Sequence, residues 1–451
     1  MKFLIIGGDA AGMSAASKAK RNDKTMEVTV LEKTQDVSFS ACGMPYNIAV
    51  PGKPIEDLVV RQANVFREKQ GINLLTGHEV RRLDPAEKQV FCVADQGREL
   101  AFPYDKLLIA TGGRPIEPDF PGYDLPGVFS LKILDNGRRL KAWLAEKMVK
   151  KVVIIGTGYI GLEMCESLRE RGLEVDMVKP GKALVSWTAP ELSTVVQQEV
   201  ESHGARLHLC HGVKKIEAKG GGLSVVCDSM TLPADMVLVA IGIRPNSEFA
   251  VAAGLEVSVK NAISVDRHLR TSNPDIYAAG DCADAYHVVT GQKTWIPLAL
   301  VANRAGWAVA DNVCGIGSPT ELDGVAGTAV FKVFGLEVAR TGLTVAEAKH
   351  AGFDPVSEII QSRSRAHAHP GSTPIHVHMI GDRKTGRLLG AQMVGREGAA
   401  HRINAAAVAL HAQMTVDQFS RTDLSYAPPF GPVWDPLLTA ANQLMKKMGR
   451  G

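Results

Sequence analysis

Phe3-Leu4-Ile5-Ile6-Gly7-Gly8-Asp9-Ala10-Ala11-Gly12 is the stretch that decides the fold. Its four leading apolar residues read as a buried parallel strand, the glycines as a turn, and the Ala/Ser/Lys run from Met13 to about Lys20 as the helix that follows. A second strand, Val28-Thr29-Val30-Leu31, ends in Glu32. Strand, glycines, helix, strand and acid in this order form a dinucleotide-binding fingerprint. Gly7 makes the tight turn, Gly12 lets the helix pack closely, a pyrophosphate sits at the helix N-terminus and Glu32 takes the ribose hydroxyls. Asp9 departs from the pattern, standing where the middle glycine usually is.

The pattern returns at Lys151-Val152-Val153-Ile154-Ile155, which leads into Gly156-Thr157-Gly158-Tyr159-Ile160-Gly161 and a helix through Arg171. All three glycines are present here. The next strand, Glu174 to Val178, ends in Lys179 where an acid for the adenosine ribose is expected. A lysine there suits a 2′-phosphate and favours NADPH over NADH, although Gly161 fits either. Apolar strands ending at Thr111-Gly112 and at Gly242 close the two units with the same small-residue turn. Ile276-Tyr277-Ala278-Ala279-Gly280-Asp281 is a further strand whose terminal acid suits a ribityl hydroxyl, a helix N-terminus near a pyrophosphate, or a plain N-cap.

Between these signatures the sequence predicts a helix over Leu58 to Gln70 and a strand at Val90 to Val93. Pro115, Pro118, Pro121 and Gly122 mark a boundary. The character changes near Gly327. Thr328 to Phe334 and Ile375 to Ile380 read as antiparallel strands, Gly398 to Met414 as a helix, and Leu437 to Met448 as a last helix. Ahead of that helix, the proline-rich aromatic stretch from Tyr426 to Pro436 cannot be helical.

At 451 residues the chain is too long for one core, and about three domains are expected. Lys plus Arg (51) against Asp plus Glu (48) leaves a net charge of +3, which gives no bulk electrostatic case for nucleic acid or an anionic membrane as partner. The seven cysteines are irregularly spaced without a Cys-x-x-Cys pair, which argues against a disulfide framework and a zinc site and for a reducing compartment. His367 and His369 lack further ligands at suitable spacing, so no metal is expected. The opening apolar run is too short for a signal core or membrane span, and the expected location is cytoplasmic.

One stretch is left over: Ser38-Phe39-Ser40-Ala41-Cys42-Gly43-Met44-Pro45-Tyr46. A thiol flanked by small residues, shortly after the first fingerprint, can lie against a bound cofactor. A packed core thiol would read the same way.

Two nucleotide units, the second inserted in the first, followed by a module without a nucleotide signature, resemble the two-dinucleotide-binding-domain flavoproteins over essentially the whole length. The motif Ser-Phe-x-x-Cys-Gly-x-Pro-Tyr is similar to that of the single-cysteine (class III) pyridine nucleotide-disulfide oxidoreductases, the branch of coenzyme A disulfide reductases, NADH oxidases and NADH peroxidases. Val37 stands where the glutathione-reductase-like members carry a first cysteine, and Ala10 where the peroxidases carry a histidine. The resemblance implies an α/β fold: an FAD-binding domain (1–117 and 245–325), an NAD(P)H-binding domain (118–244) and a C-terminal dimerisation domain (326–451). It further implies FAD at Gly7, Ala11, Gly12, Glu32, Lys33, Val80, Thr111, Gly112, Gly280, Asp281 and Ala299. NADPH or NADH would lie at Gly156, Gly158, Tyr159, Ile160, Gly161, Glu163, Lys179 and Gly242.

The same resemblance implies Cys42 as the redox thiol and a homodimer in which Tyr426 comes from the partner subunit. A small thiol or disulfide, with coenzyme A the family's own, would lie along Ser14, Lys18, Arg21, Ser38, Ala41 and Asn303. Two substitutions depart from the branch: Ala368-His369-Pro370-Gly371 replaces a Tyr-Tyr-Pro-Gly stretch, and Trp434 stands near a lysine used for the nucleotide phosphate. The implied cycle passes hydride from nicotinamide to flavin and two electrons on to Cys42. A helix N-terminus after Cys42, together with the flavin, is expected to lower the thiol pKa. Three functions fit: reduction of a low-molecular-weight disulfide, persulfide or polysulfide; oxygen reduction through a sulfenic acid; and electron transfer or redox sensing toward a protein partner.

Overall fold

Two parallel sheets of the same build explain the repeated fingerprint. In the computed structural model, whose described residues are 1–94 and 97–450, the first sheet runs Ile276–Ala278, Lys106–Ile109, Lys2–Ile6, Glu27–Leu31, Asn73–Leu75. The second runs Arg206–Leu209, Glu174–Lys179, Lys151–Ile155, Met236–Val239, Val128–Phe129. Every pairing in both is parallel. The central strands are buried on both faces, and so they read as unbroken apolar runs. The edge strand Ile276–Ala278 of the first sheet is made only after the whole second sheet, so the second unit is an insertion in the first. The two chain crossings pair with each other, Gly113–Pro115 antiparallel to Ile243–Pro245.

Small residues set the packing of the first unit. The helix Ala10–Asn22 buries Ala11, Ala15, Ala16 and Ala19. It crosses the helix Ala299–Cys314 so closely that a Cβ on Gly306 would stand 2.3 Å from the Ala11 carbonyl oxygen. Each parallel sheet is accompanied by a three-stranded antiparallel sheet, Glu79–Asp84 with Gln89–Val93 and Glu99–Pro103 in one unit, Val213–Lys219 with Gly222–Cys227 and Thr231–Ala234 in the other.

The C-terminal module is a five-stranded antiparallel sheet, Ala329–Val333, Leu336–Gly342, Leu388–Gly395, Pro374–Asp382, Pro355–Arg363, covered by the helices Ala399–His411 and Pro436–Lys447. It is docked on the second unit through charge and ring contacts. Glu199 accepts from Arg396 at 3.0 and 2.6 Å and from the Gly335 N–H, and His203 stacks on Phe334 at 4.1 Å. Residue 451, the last of the module expected at 326–451, lies outside the described residues.

The predicted helix over 58–70 is formed only in its second part, over 63–70, around a π turn. A 3-10 turn Ile55–Leu58 and a single π turn Val65–Lys69 flank chain that pairs with the Cys42 segment, Ser40 N–H donating to Leu58 O at 2.8 Å and Val60 N–H to Ser38 O at 2.8 Å. Tertiary pairing of β-branched Val59 and Val60 overrides the helical pattern there.

Candidate active site

Both glycine turns are made alike. Gly7 has φ 111° and Gly156 φ 107°, and a Cβ on either would strike a carbonyl oxygen of the neighbouring strand end, Ala110 at 2.1 Å and Ala240 at 2.3 Å. A Cβ on Gly12 or Gly161 would stand 1.9 or 2.5 Å from the carbonyl oxygen of its own turn. No side chain is tolerated, so each helix begins in contact with its turn and aims free N–H groups across the sheet end. Gly112 and Gly158 face open space, with nothing within 4 Å of an added Cβ. The donor turns and the room beside them fit a pyrophosphate and a flat ring at each sheet, which suits FAD at the first and a nicotinamide dinucleotide at the second.

Around the first turn, Glu32 accepts from the Gly8 N–H at 2.7 Å and from the Thr34 N–H at 2.8 Å, so its carboxylate is already oriented. Thr111 and Asn246 exchange hydrogen bonds at 2.7 and 2.9 Å and pin the turn at Gly112. Asp281, beside the positive-φ Gly280, pairs with Lys132 at 2.7 Å. Ala11 is buried on the helix face, Val80 half-buried, and Lys33 and Ala299 exposed, Ala299 opening the helix Ala299–Cys314.

Cys42 stands exposed in the 3-10 turn Ala41–Gly43, between the first glycine turn and the second unit. Its flanks Phe39 and Ala41 pack on the core that contains Met44, Ile48, Leu134 and Leu162. The surrounding protein pushes the thiol pKa up; the Glu163 carboxylate adds to the rise and Lys132 opposes it. The helix that follows, Met44–Ala49, has only six residues, and in the chain by itself desolvation is the largest influence on the thiol. All seven cysteines are free.

Glu163 reaches this site from the second unit. Its carboxylate accepts from the Tyr46 hydroxyl at 3.0 Å, and burial, with Glu166 adding, pushes its pKa up to about 7. One turn before it on the same helix, Tyr159 belongs to an aromatic cluster with Trp187 and Phe331, centroids 5.5 and 5.3 Å away, and Arg340 lies over the Trp187 ring. Ile160 packs on the same core, and Gly242, φ 118°, follows the strand Met236–Val239.

Lys179 ends its strand as the sequence predicts, but its ammonium donates inward, to Ala183 O at 2.9 Å and Leu184 O at 3.2 Å. Burial pushes its pKa down. The Leu184 carbonyl also accepts from Thr157 Oγ1 at 2.6 Å, so lysine and glycine turn share one acceptor.

Along the first helix, Ser14 Oγ donates to Asn303 Oδ1 at 2.5 Å and Lys18 pairs with Asp311 at 3.4 Å, while Arg21 is exposed. Ser14, Lys18 and Arg21 lie on the helix Ala10–Asn22 and Asn303 on the helix Ala299–Cys314, whereas Ser38 and Ala41 lie in the segment that carries Cys42. Tyr426 is exposed, as are Phe430, Val433 and Trp434. Among the described residues no group of three His, Cys, Asp or Glu side chains is arranged for a metal, and no helix is long and apolar enough to cross a membrane.

Lys132, which follows a two-residue strand, carries no sequence motif; Tyr46 closes the Cys42 motif, and Asp9 stands in the first glycine turn as its departure. Long-range folding brings 132, 163 and 281 to the thiol.

Comparison with known proteins agrees with this geometry. The family model described as pyridine nucleotide-disulphide oxidoreductase matches residues 1–306, and that of the family's dimerisation domain residues 328–436. The chain is 38% identical over 443 residues to an NAD(P)H sulfur oxidoreductase (CoA-dependent) of Pyrococcus abyssi, covering 98% of this chain and 97% of the relative. It is 34% identical to an NADH oxidase of Methanocaldococcus jannaschii, covering 99% of each. Among solved structures, an NAD-dependent persulfide reductase from A. fulgidus superposes with a TM-score of 0.95 at 35% identity, over 100% of this chain and 84% of that one.

Proposed function

The chain belongs to the pyridine nucleotide-disulphide oxidoreductase family and is an FAD-dependent NAD(P)H oxidoreductase, and on that premise we propose that its acceptor is low-molecular-weight sulfur. The class is disulfide, persulfide or polysulfide, coenzyme A disulfide among them, and Cys42 alone is the redox thiol. One observation carries this reading: Cys42 is exposed at the junction of the two units, beside the Gly7–Gly12 turn, and is not disulfide-bonded to any other cysteine. A lone thiol of this kind closes its cycle on a small sulfur compound rather than on a neighbour.

The Cys42 thiolate attacks one sulfur of R–S–S–R. The S–S bond breaks, RS⁻ leaves and takes a proton, and a Cys42–S–S–R mixed disulfide remains. Bound FAD supplies the two-electron relay between nicotinamide and sulfur. Cleavage of the mixed disulfide by those two electrons restores the Cys42 thiolate and releases the second RS⁻, so one NAD(P)H and one proton yield two thiols. Lys132 stabilises the thiolate, Glu163 opposes its charge, and Ser14, Lys18 and Asn303 line the approach to it.

The exposed aromatic segment at Tyr426, Phe430 and Trp434 supports a homodimer in which the partner subunit covers Cys42. Oxygen is the second reading, supported by the same exposure of Cys42 and by the NADH oxidase among the relatives.

The test is intact-mass spectrometry of the non-reduced protein beside turnover of Cys42→Ser. A thiol or sulfur adduct on Cys42, with disulfide turnover lost by at least about 10³-fold in the variant while NAD(P)H still reduces its flavin, agrees with the reading. A sulfenic acid with oxygen-dependent turnover would replace sulfur by oxygen. Full turnover without Cys42 would leave a reductase for a protein partner.

A further inference from the structure

The departure of the first glycine turn from its fingerprint has a structural counterpart. Asp9 Oδ1 accepts from the Phe39 N–H at 3.3 Å, the only acceptor that N–H finds among the described residues. Beside it the Ser38 N–H donates to Gly8 O at 3.1 Å, and a Cβ on Gly8 would meet Val37 Cγ1 at 2.9 Å, so residues 37–39 lie directly on the turn. Ser38 holds φ 49°, a left-handed conformation that a serine keeps only where its surroundings impose it. Cys42 stands four residues beyond Ser38.

We propose that Asp9 is a positioning residue for Cys42: its carboxylate hangs the segment that carries the thiol on the phosphate-binding turn. A glycine at this place serves the phosphate equally well but offers no acceptor, and the Phe39 N–H would be left unpaired in a half-buried position. The equivalent place in the second unit, Gly158, has open space around it and no cysteine segment to hold, which is why the second turn keeps its glycine. The charged and titratable groups around Asp9 are Glu32, Asp281, Lys132 and the Cys42 thiol, and burial pushes its pKa up to about 6. The contact itself is independent of what Cys42 does, whereas its value to turnover rests on the redox reading above.

Asp9→Gly and Asp9→Asn separate the tie from the charge, because asparagine keeps the acceptor oxygen and loses the carboxylate. Hydrogen exchange is followed by mass spectrometry on peptides overlapping residues 37–44, in the FAD-loaded protein and in the chain without FAD. Asp9→Gly is expected to speed exchange there about tenfold and to lower kcat for disulfide about tenfold, with KM for the nicotinamide cofactor within about twofold. Asp9→Asn is expected to restore both. Exchange in Asp9→Gly equal to that of the unchanged protein, or Asp9→Asn as fast as Asp9→Gly, overturns the proposal; so does faster exchange in Asp9→Gly, reversed by asparagine, with kcat unmoved in either variant. Failure of the redox reading of Cys42 would show in the Cys42→Ser enzyme and leave the exchange result standing.

Discussion

Tyr46 donates its hydroxyl to the Glu163 carboxylate at 3.0 Å, a bond that ties the short helix after Cys42 to the glycine-turn helix of the inserted unit. It places a carboxyl with a pKa near 7 within electrostatic reach of the thiol.

Ionised Glu163 opposes ionisation of Cys42, so its removal favours the thiolate. Glu163→Gln is expected to move the midpoint of Cys42 alkylation by iodoacetamide down by about one pH unit, the size of one like charge acting through protein. In the unchanged enzyme the alkylation rate is expected to fall less steeply with pH below about 7, where Glu163 is neutral and no longer opposes the thiolate. A midpoint that does not move would remove Glu163 from the account.

To meet a 2′-phosphate, as we propose, Lys179 would have to give up or share its bonds to the carbonyls of Ala183 and Leu184. Lys179→Glu is expected to lower kcat/KM for NADPH by about one to two orders of magnitude and to leave NADH within a few-fold. Equal losses with both cofactors would make the lysine a tie for the 183–184 loop rather than a phosphate ligand.

If the partner subunit completes the site, a Cys42→Ser chain and a Tyr426→Phe chain rescue each other. Mixed dimers, formed by subunit exchange, are expected to recover activity toward one intact site each. Exchange demonstrated without recovery, or a fully active monomer, contradicts a shared site.

His287 is buried, its Nδ1 accepting from the Val289 N–H at 3.1 Å, and burial pushes its pKa from 6.5 down to about 4. Between those values the unfolded chain takes up a proton that the folded chain refuses, so stability falls as pH falls, by up to about 3 kcal/mol. His287→Asn, which keeps an acceptor, is expected to flatten denaturant midpoints between pH 7 and 4.5. An unaltered slope would assign acid lability to other groups.

The two nucleotide units were legible because a glycine turn is a local motif. Gly7, Gly12, Gly156 and Gly161 each stand where a Cβ would collide with backbone; at Gly12 and Gly161 the collision is with the turn's own first glycine, at Gly7 and Gly156 with the distant strand ends at Ala110 and Ala240, so the motif is written locally while half of its cause is not. The C-terminal sheet was half legible. Ala329–Val333 and Pro374–Asp382 lie within or around predicted strands, but Leu388–Gly395, buried at every residue, carries no alternation, and Leu336–Gly342 and Pro355–Arg363 were not read as strands. The surroundings of Cys42 were least legible, since Lys132, Glu163 and Asp281 reach it from elements far along the chain that only the tertiary fold brings together.

Because the strand Ile276–Ala278 and the helix Ala299–Cys314 follow the inserted unit, the order of synthesis is also an order of completion. The inserted sheet has its last strand, Met236–Val239, while the first sheet still lacks an edge and the partner of its glycine-turn helix. During translation the inserted unit therefore becomes protease-resistant first, and flavin capture waits for the helix Ala299–Cys314. Chains arrested just after residue 245 has left the ribosome are expected to show a protected fragment around residues 118–244 and no bound flavin; protection of residues 1–110 at that point would reverse the order.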